Sequence, residues 1–63
     1  MRLIRLKEVI HLTGLGRSTI YKFMASGNFP DSVSLGARAV AWDERQIKAW
    51  ILEKIAKRDE AIK

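Results

Sequence analysis

The 63-residue chain contains no cysteine, one proline and one histidine. Without cysteine, disulfides cannot brace the fold, and thiolate zinc sites and cysteine nucleophiles are excluded. The lone imidazole, His11, has no second histidine and no arrayed carboxylate with which to hold a metal, and it cannot complete a Ser-His-Asp set. Asp31, Asp43, Glu44 and Glu53 show no pairing suited to general acid and base work. Long apolar runs are missing as well. Charge-free stretches such as Val9 to Gly16 reach less than half of the roughly 18 residues that a membrane span requires, and the opening residues do not read as a secretory signal. A chain this short makes one domain and buries only about 60% of its unfolded surface, which leaves little room to wall in a small substrate. The expectation is a soluble cytoplasmic protein that is not an enzyme and uses no cofactor, metal or small-molecule substrate.

What the sequence does have is positive charge. Twelve Lys and Arg stand against seven Asp and Glu, a formal net charge of +5. A small basic domain most often meets a polyanion, because its cations release the counterions condensed on phosphate. The charge is unevenly placed. Residues 1–42 hold six bases (Arg2, Arg5, Lys7, Arg17, Lys22, Arg38) and two acids (Glu8, Asp31), a net of +4, whereas residues 43–63 hold six bases and five acids, a net of +1. The last third reads as an ordinary solvated helix with acids four residues ahead of bases, at Glu44 and Lys48, Glu53 and Lys57, and Asp59 and Lys63.

Leu3 to Leu6 alternates apolar and basic residues and suits either a short strand or an anchor for the first helix. Leu6, Val9, Ile10 and Thr13 then fall at helical spacing, with Lys7, Glu8 and His11 opposite, which predicts a helix over 7–13. Gly14 suits the left-handed stop of that helix, and Leu15 plugs a turn over 14–16. A second helix is expected over 17–26, with Ile20, Phe23 and Met24 inward, Arg17, Ser18, Thr19, Tyr21, Lys22 and Ala25 outward, and Gly27 as its stop. Two short helices around a buried Leu15 make a helix-turn-helix. Asn28 to Asp31 reads as a loop, with Phe29 held extended by Pro30. Val33 to Leu35 and Val40 to Trp42 form a hairpin, a wing over 33–42 with Arg38 at its tip. Asp43 and Gln46 have the capping-box spacing for a third helix over 44–58. Its stripe of Ile47, Trp50, Ile51 and Ile55 closes the core, and residues 59–63 form a frayed tail. The fold class is mainly α with a small β-hairpin, a winged helix-turn-helix of three helices in one domain over 1–63.

The outward face of the second helix carries the most chemistry. Arg17, Ser18 and Thr19 sit where the helix dipole and unpaired N–H groups favour phosphate or an electronegative base edge, and Tyr21 and Lys22 continue that surface. A recognition helix needs short hydroxyls for the groove floor, cations for guanine edges or phosphates, and an aromatic for sugar or a thymine methyl. The bland alternative makes Ser18 and Thr19 capping residues and the cations solvated charges. Arg38 on the wing can reach the backbone or the minor groove. Arg5 and Lys7 can clamp a phosphate, with Arg2 beside them, although isolated surface cations are common. Trp42 and Trp50 suit a small core better than a stacking platform for single strands.

Four separated runs carry a resemblance: Arg5-Leu6-Lys7-Glu8-Val9, then Thr13-Gly14-Leu15-Gly16-Arg17-Ser18-Thr19-Ile20-Tyr21, then Gly27-Asn28-Phe29-Pro30, and Leu35-Gly36-Ala37-Arg38-Ala39-Val40-Ala41-Trp42. In this order, from about Arg2 to Leu52, the chain resembles the AlpA-type prophage regulators, small winged-helix proteins related to phage excisionases and to the DNA-binding domain of MerR-type activators. Gly16 departs from the pattern, standing where a serine often caps the second helix, and Ala37 takes a position often held by another small residue. The resemblance implies a prophage or genomic-island protein, nucleoid-associated, that binds specific double-stranded DNA. It implies a transcriptional regulator, often of an integrase gene, or an excisionase that bends attachment-site DNA. Arg17, Ser18, Thr19, Tyr21 and Lys22 then fall in the recognition helix and Arg38 in the wing.

A recognition helix this small reads only a few base pairs, so self-association on adjacent sites is expected, with an integrase as a further candidate partner. The rival class is a protein-interaction module, whose basic face docks an acidic partner such as a response regulator or an integrase. Leu52 and Ile62, off the stripe of the third helix, would supply apolar surface for it.

Overall fold

The computed structural model describes the backbone of residues 1–62 and the side chains of residues 1–60. The elements run β1 (Leu3–Ile4), α1 (Leu6–Thr13), α2 (Arg17–Ala25), β2 (Val33–Gly36), β3 (Ala39–Asp43) and α3 (Glu44–Ile62). The strands form one antiparallel sheet in the order β1-β3-β2. The fold is mainly helical, with α1 and α2 as the helix-turn-helix and the β2–β3 hairpin as the wing.

Leu3–Ile4 is a strand, with Leu3 opposite Asp43 and Ile4 opposite Trp42. Two residues are too few to hold a ladder alone. Ile4, however, is buried in the core, and the Arg2 carbonyl accepts the Glu44 N–H at 2.9 Å just past the strand. Helix α1 follows after one extended residue, Arg5, and ends at Gly14 with φ +73°. The Thr13 hydroxyl braces the turn: it donates to the Val9 carbonyl at 2.8 Å and accepts the Leu15 N–H at 3.2 Å. Helix α2 ends one residue earlier than its pattern suggests, at Ala25. The Gly27 N–H bonds the Met24 carbonyl and the Asn28 N–H bonds the Phe23 carbonyl, a Schellman ending that needs the positive φ of Gly27.

The core is Ile4, Val9, Ile20, Phe29, Trp42 and Ile47, with Ala41 buried beside them. Both tryptophans serve it. Trp42 is fully buried and its indole N–H donates to the Pro30 carbonyl, while Trp50 donates to the Asn28 carbonyl and packs edge-on against Phe29 with ring centres 4.8 Å apart. This satisfies the one polar atom that each indole brings inside.

Three expectations along α3 are corrected. Ile55 does not close the core but is 41% exposed, because the body below is too small to cover the helix past Ile51. The helix continues through Ile62 instead of fraying near Arg58; no glycine or proline interrupts it, and pairs such as Glu53 with Lys57 at 3.7 Å follow its surface. Glu44 and Lys48 also approach, at 3.8 Å, while the expected Asp59 and Lys63 pair lies outside the described residues. At the start of α3, Asp43 caps as expected, its Oδ1 accepting the Arg45 N–H at 2.9 Å. Among the described residues no bond returns from Gln46, whose side chain is exposed; the backbone of Asp43 instead sits opposite Leu3 in the sheet.

The Arg45 guanidinium also reaches Asp43, at 3.1 Å, and this side-chain bond, followed by the backbone one, holds the Asp43 carboxyl below its ordinary value. Folding therefore gains from ionised Asp43. The gain is complete above the unfolded carboxylate value of about 3.9 and is lost as pH falls through the lower folded value. Denaturant melts of wild type and Asp43→Asn across pH should show a stability gap that is constant near neutrality and closes in acid. A gap unchanged to the lowest pH at which both remain folded would contradict the assignment.

The wing stands clear of the body, with every residue of β2 exposed. Its register slips between Ser34 and Gly36, and Ala37 takes φ +38° at the tip. Left-handed backbone costs a residue with a Cβ about 1–2 kcal/mol, and glycine gives back part of that through its looser unfolded chain. Ala37→Gly should therefore stabilise the domain by roughly 0.5–1 kcal/mol, read as a rise in thermal midpoint of a few degrees.

Candidate nucleic-acid interface

The sheet order brings distant cations together. β1 runs antiparallel to β3 with Ile4 opposite Trp42, so Arg5, the next residue, is carried toward the start of β3 and the wing turn that precedes it. One concavity is lined by Arg5, Lys7, Arg17, Arg38 and Tyr21, with Leu6 and Val40 as its apolar lining. These residues come from the start of α1, from α2 and from the wing. Four of the six bases of residues 1–42 thus share one surface, and among the described residues none of the four makes an ion pair. Unpaired cations clustered in this way repel each other and leave their hydrogen-bonding capacity for an anion.

Helix α2 adds donors to this surface. Its N-cap is Gly16, extended at φ −76° and ψ 163°, and no side chain caps the first turn. The first-turn N–H groups of Arg17, Ser18 and Thr19 have no partner within an α-helix, and the positive end of the dipole lies with them. The Arg17 guanidinium lies 5.9 Å from the Tyr21 ring centre, one turn along. That contact restricts a long side chain while its N–H groups stay free.

The sequence-derived candidates take four placements. Arg5, Lys7, Arg17, Tyr21 and Arg38 converge in the concavity. Ser18 and Lys22 are exposed on α2 beside it. Thr19 is half-buried, one residue before the fully buried Ile20, and so is less open than Ser18 and Lys22. Arg2 is placed elsewhere, held by Glu8 at 2.9 Å and Glu44 at 2.6 Å, a pairing that ties the N-terminus to α1 and α3. Leu6 and Val40 were not picked out as part of the site. The hint was present in their flanking positions, next to Arg5 and Lys7 and two residues past Arg38, but only the β1–β3 pairing brings them together.

Trp42 is inside, so the indoles do not form a paired platform for bases. Among the described residues no group of three His, Cys, Asp or Glu is placed to hold a metal ion. No described helix is long and apolar enough to cross a membrane.

Two short helices joined by a tight turn, the second largely exposed, and a wing whose cation joins that helix in one concavity define a small winged helix-turn-helix protein. Residues 2–55 match the family described as Prophage CP4-57 regulatory protein (AlpA), and the chain belongs to that family. Among its relatives, the uncharacterized protein ORF88 of Enterobacteria phage P4 is 49% identical over 57 residues, 90% of this chain. The chain spans 65% of that protein's length. The DNA-binding transcriptional activator AlpA of Escherichia coli (strain K12) is 33% identical over an alignment covering 86% of each chain.

Proposed function

We propose that this protein is a sequence-specific double-stranded DNA-binding regulator. The observation that carries the reading is the convergence of Arg5, Lys7, Arg17 and Arg38 on one concavity at the start of α2. The α2 face of Arg17, Ser18, Tyr21 and Lys22 enters the major groove, and half-buried Thr19 contributes its backbone N–H more than its hydroxyl. Arg38 reaches the adjacent backbone or minor groove, and Arg5 and Lys7 fix the register on phosphates. Family membership and the description of the Escherichia coli relative support the same reading.

The action we infer is control of a prophage gene such as an integrase gene, or excision at an attachment site; both use the same groove contacts. Several copies act together, on neighbouring sites or beside an integrase, because so few exposed side chains select only a few base pairs. The protein works in the cytoplasm, at the nucleoid.

Titration with duplex DNA from the gene's own neighbourhood at two salt concentrations tests the reading. Three phosphate contacts, by Arg5, Lys7 and Arg38, give a slope of log affinity against log salt of about −2.7, from roughly −0.9 per contact. A slope near zero, or no binding to any such duplex, would overturn it. A footprint then separates the two actions: protection over a promoter marks the regulator, and protection over repeats in an attachment site marks the excisionase.

A further inference from the structure

Past Ile51 the body covers α3 less: Ile55 and Arg58 still border a shallow hollow with Leu12, Thr13 and Leu15, and the adjoining side of the helix, which the DNA-binding surface does not use, is exposed. Lys48, Leu52, Ile55 and Asp59 recur at spacings of 4, 3 and 4, the rhythm of a coiled-coil seam, with Ala49 and Ala56 along one flank. All six are exposed, Leu52 by 65% and Ile55 by 41%. At 3.6 residues per turn this seam lies about 110° around the helix from the stripe of Ile47, Trp50 and Ile51 that packs on the core, so it remains open when the domain is folded.

The seam reads cation, apolar, apolar, anion. Laid antiparallel against itself it is self-complementary: Leu52 meets Ile55 of the second copy and Lys48 meets Asp59, each contact made twice about the two-fold axis. Laid parallel and in register, Lys48 would face Lys48 and Asp59 would face Asp59, which is repulsive, so charge selects the orientation. The present partners of the two ends do not prevent exchange. Lys48 lies at the long distance of 3.8 Å from Glu44, which Arg2 already holds, and Asp59 lies 3.0 Å from Arg58 in a solvent-exposed pair of small worth. The alanines let the two helices approach closely.

We propose that this exposed side of α3 docks a second copy of the same chain, antiparallel. The seam is about three turns long and buries less than the roughly 1,600 Å² of a standard stable interface, so the dimer is weak when free. It takes hold where two copies are already neighbours, as on adjacent DNA sites. Only that last use rests on the DNA-binding reading; the pairing itself does not.

Sedimentation equilibrium without DNA, at loadings up to about 1 mM, tests it on wild type, Lys48→Glu, Asp59→Lys and the double variant. Wild type should form a reversible dimer. Each single reversal should weaken it about tenfold or more by setting like charges together, and the double variant should restore it. Because the chain has no cysteine of its own, a Lys48→Cys protein mixed with an Asp59→Cys protein gives a second readout through a short bismaleimide. The two positions are about 16 Å apart along one helix, so antiparallel pairing predicts mixed cross-linked dimers in preference to either homodimer. A strictly monomeric wild type, single reversals that dimerise like wild type, a double variant that stays monomeric while folded, or homodimeric cross-links would each overturn the proposal. Binding to a single DNA site should be the same for all four sedimentation variants, so failure of DNA binding and failure of dimerisation are read separately.

Discussion

Trp42→Ala unfolds the domain at room temperature. The indole is fully buried between β1 and the helices, paired across the sheet with Ile4 and hydrogen-bonded to the Pro30 carbonyl. Removing a side chain of this size from a core costs about 3–5 kcal/mol, the lost transfer energy plus the cavity left behind. A 63-residue domain without disulfides holds only about 3–5 kcal/mol in all, so the loss matches the whole of it. Circular dichroism should show wild type melting cooperatively and the variant largely unfolded before heating. Trp50→Ala should cost less, because Trp50 is only partly buried and packs on Phe29 and Phe23 at the edge of the core. Equal losses for the two would contradict the placement of the core around Trp42.

Arg17→Ala costs roughly 5- to 150-fold in affinity for a specific duplex, the equivalent of about 1–3 kcal/mol for a cation at a base edge or desolvated phosphate. Arg38→Ala acts on the backbone: it weakens all sequences alike and makes the salt slope shallower by about one unit. Arg2→Ala is the matched control. It removes one base of the same charge, yet Arg2 is committed to Glu8 and Glu44, so affinity changes little while stability falls slightly. If all three substitutions weaken binding equally, net charge and not the concavity governs the contact.

Much of this was legible in the chain because it depends on local chemistry. Gly14 and Leu15 mark a turn wherever they follow a short amphipathic helix, and the apolar Val40 to Trp42 run marks a strand. The outward positions of Arg17, Ser18, Tyr21 and Lys22 follow from helical spacing once Ile20 is taken as buried. What was hidden depends on pairing between distant segments. Leu3–Ile4 is too short to show a period, and it becomes a strand only because β3 offers a free edge and the core a place for Ile4. That pairing in turn sets Arg5 near Arg38, so the shared cleft could not be read from either segment. Spacing also misled where size mattered: Ile55 continues the apolar stripe in sequence, but the body covers it only in part. Thr19 shows the same limit on the second helix, where a position beside the buried Ile20 is drawn partly inward.

The central claim is that one surface, formed by the start of α1, the first turns of α2 and the wing tip, receives DNA. Backbone amide NMR of the labelled protein during titration with a short duplex locates that surface directly. The account predicts shifts concentrated at Arg5, Lys7, Arg17 to Lys22 and Arg38, with Arg2 and the Leu52 to Asp59 side of α3 unmoved at a single site. Shifts centred on α3, with the concavity silent, would contradict it.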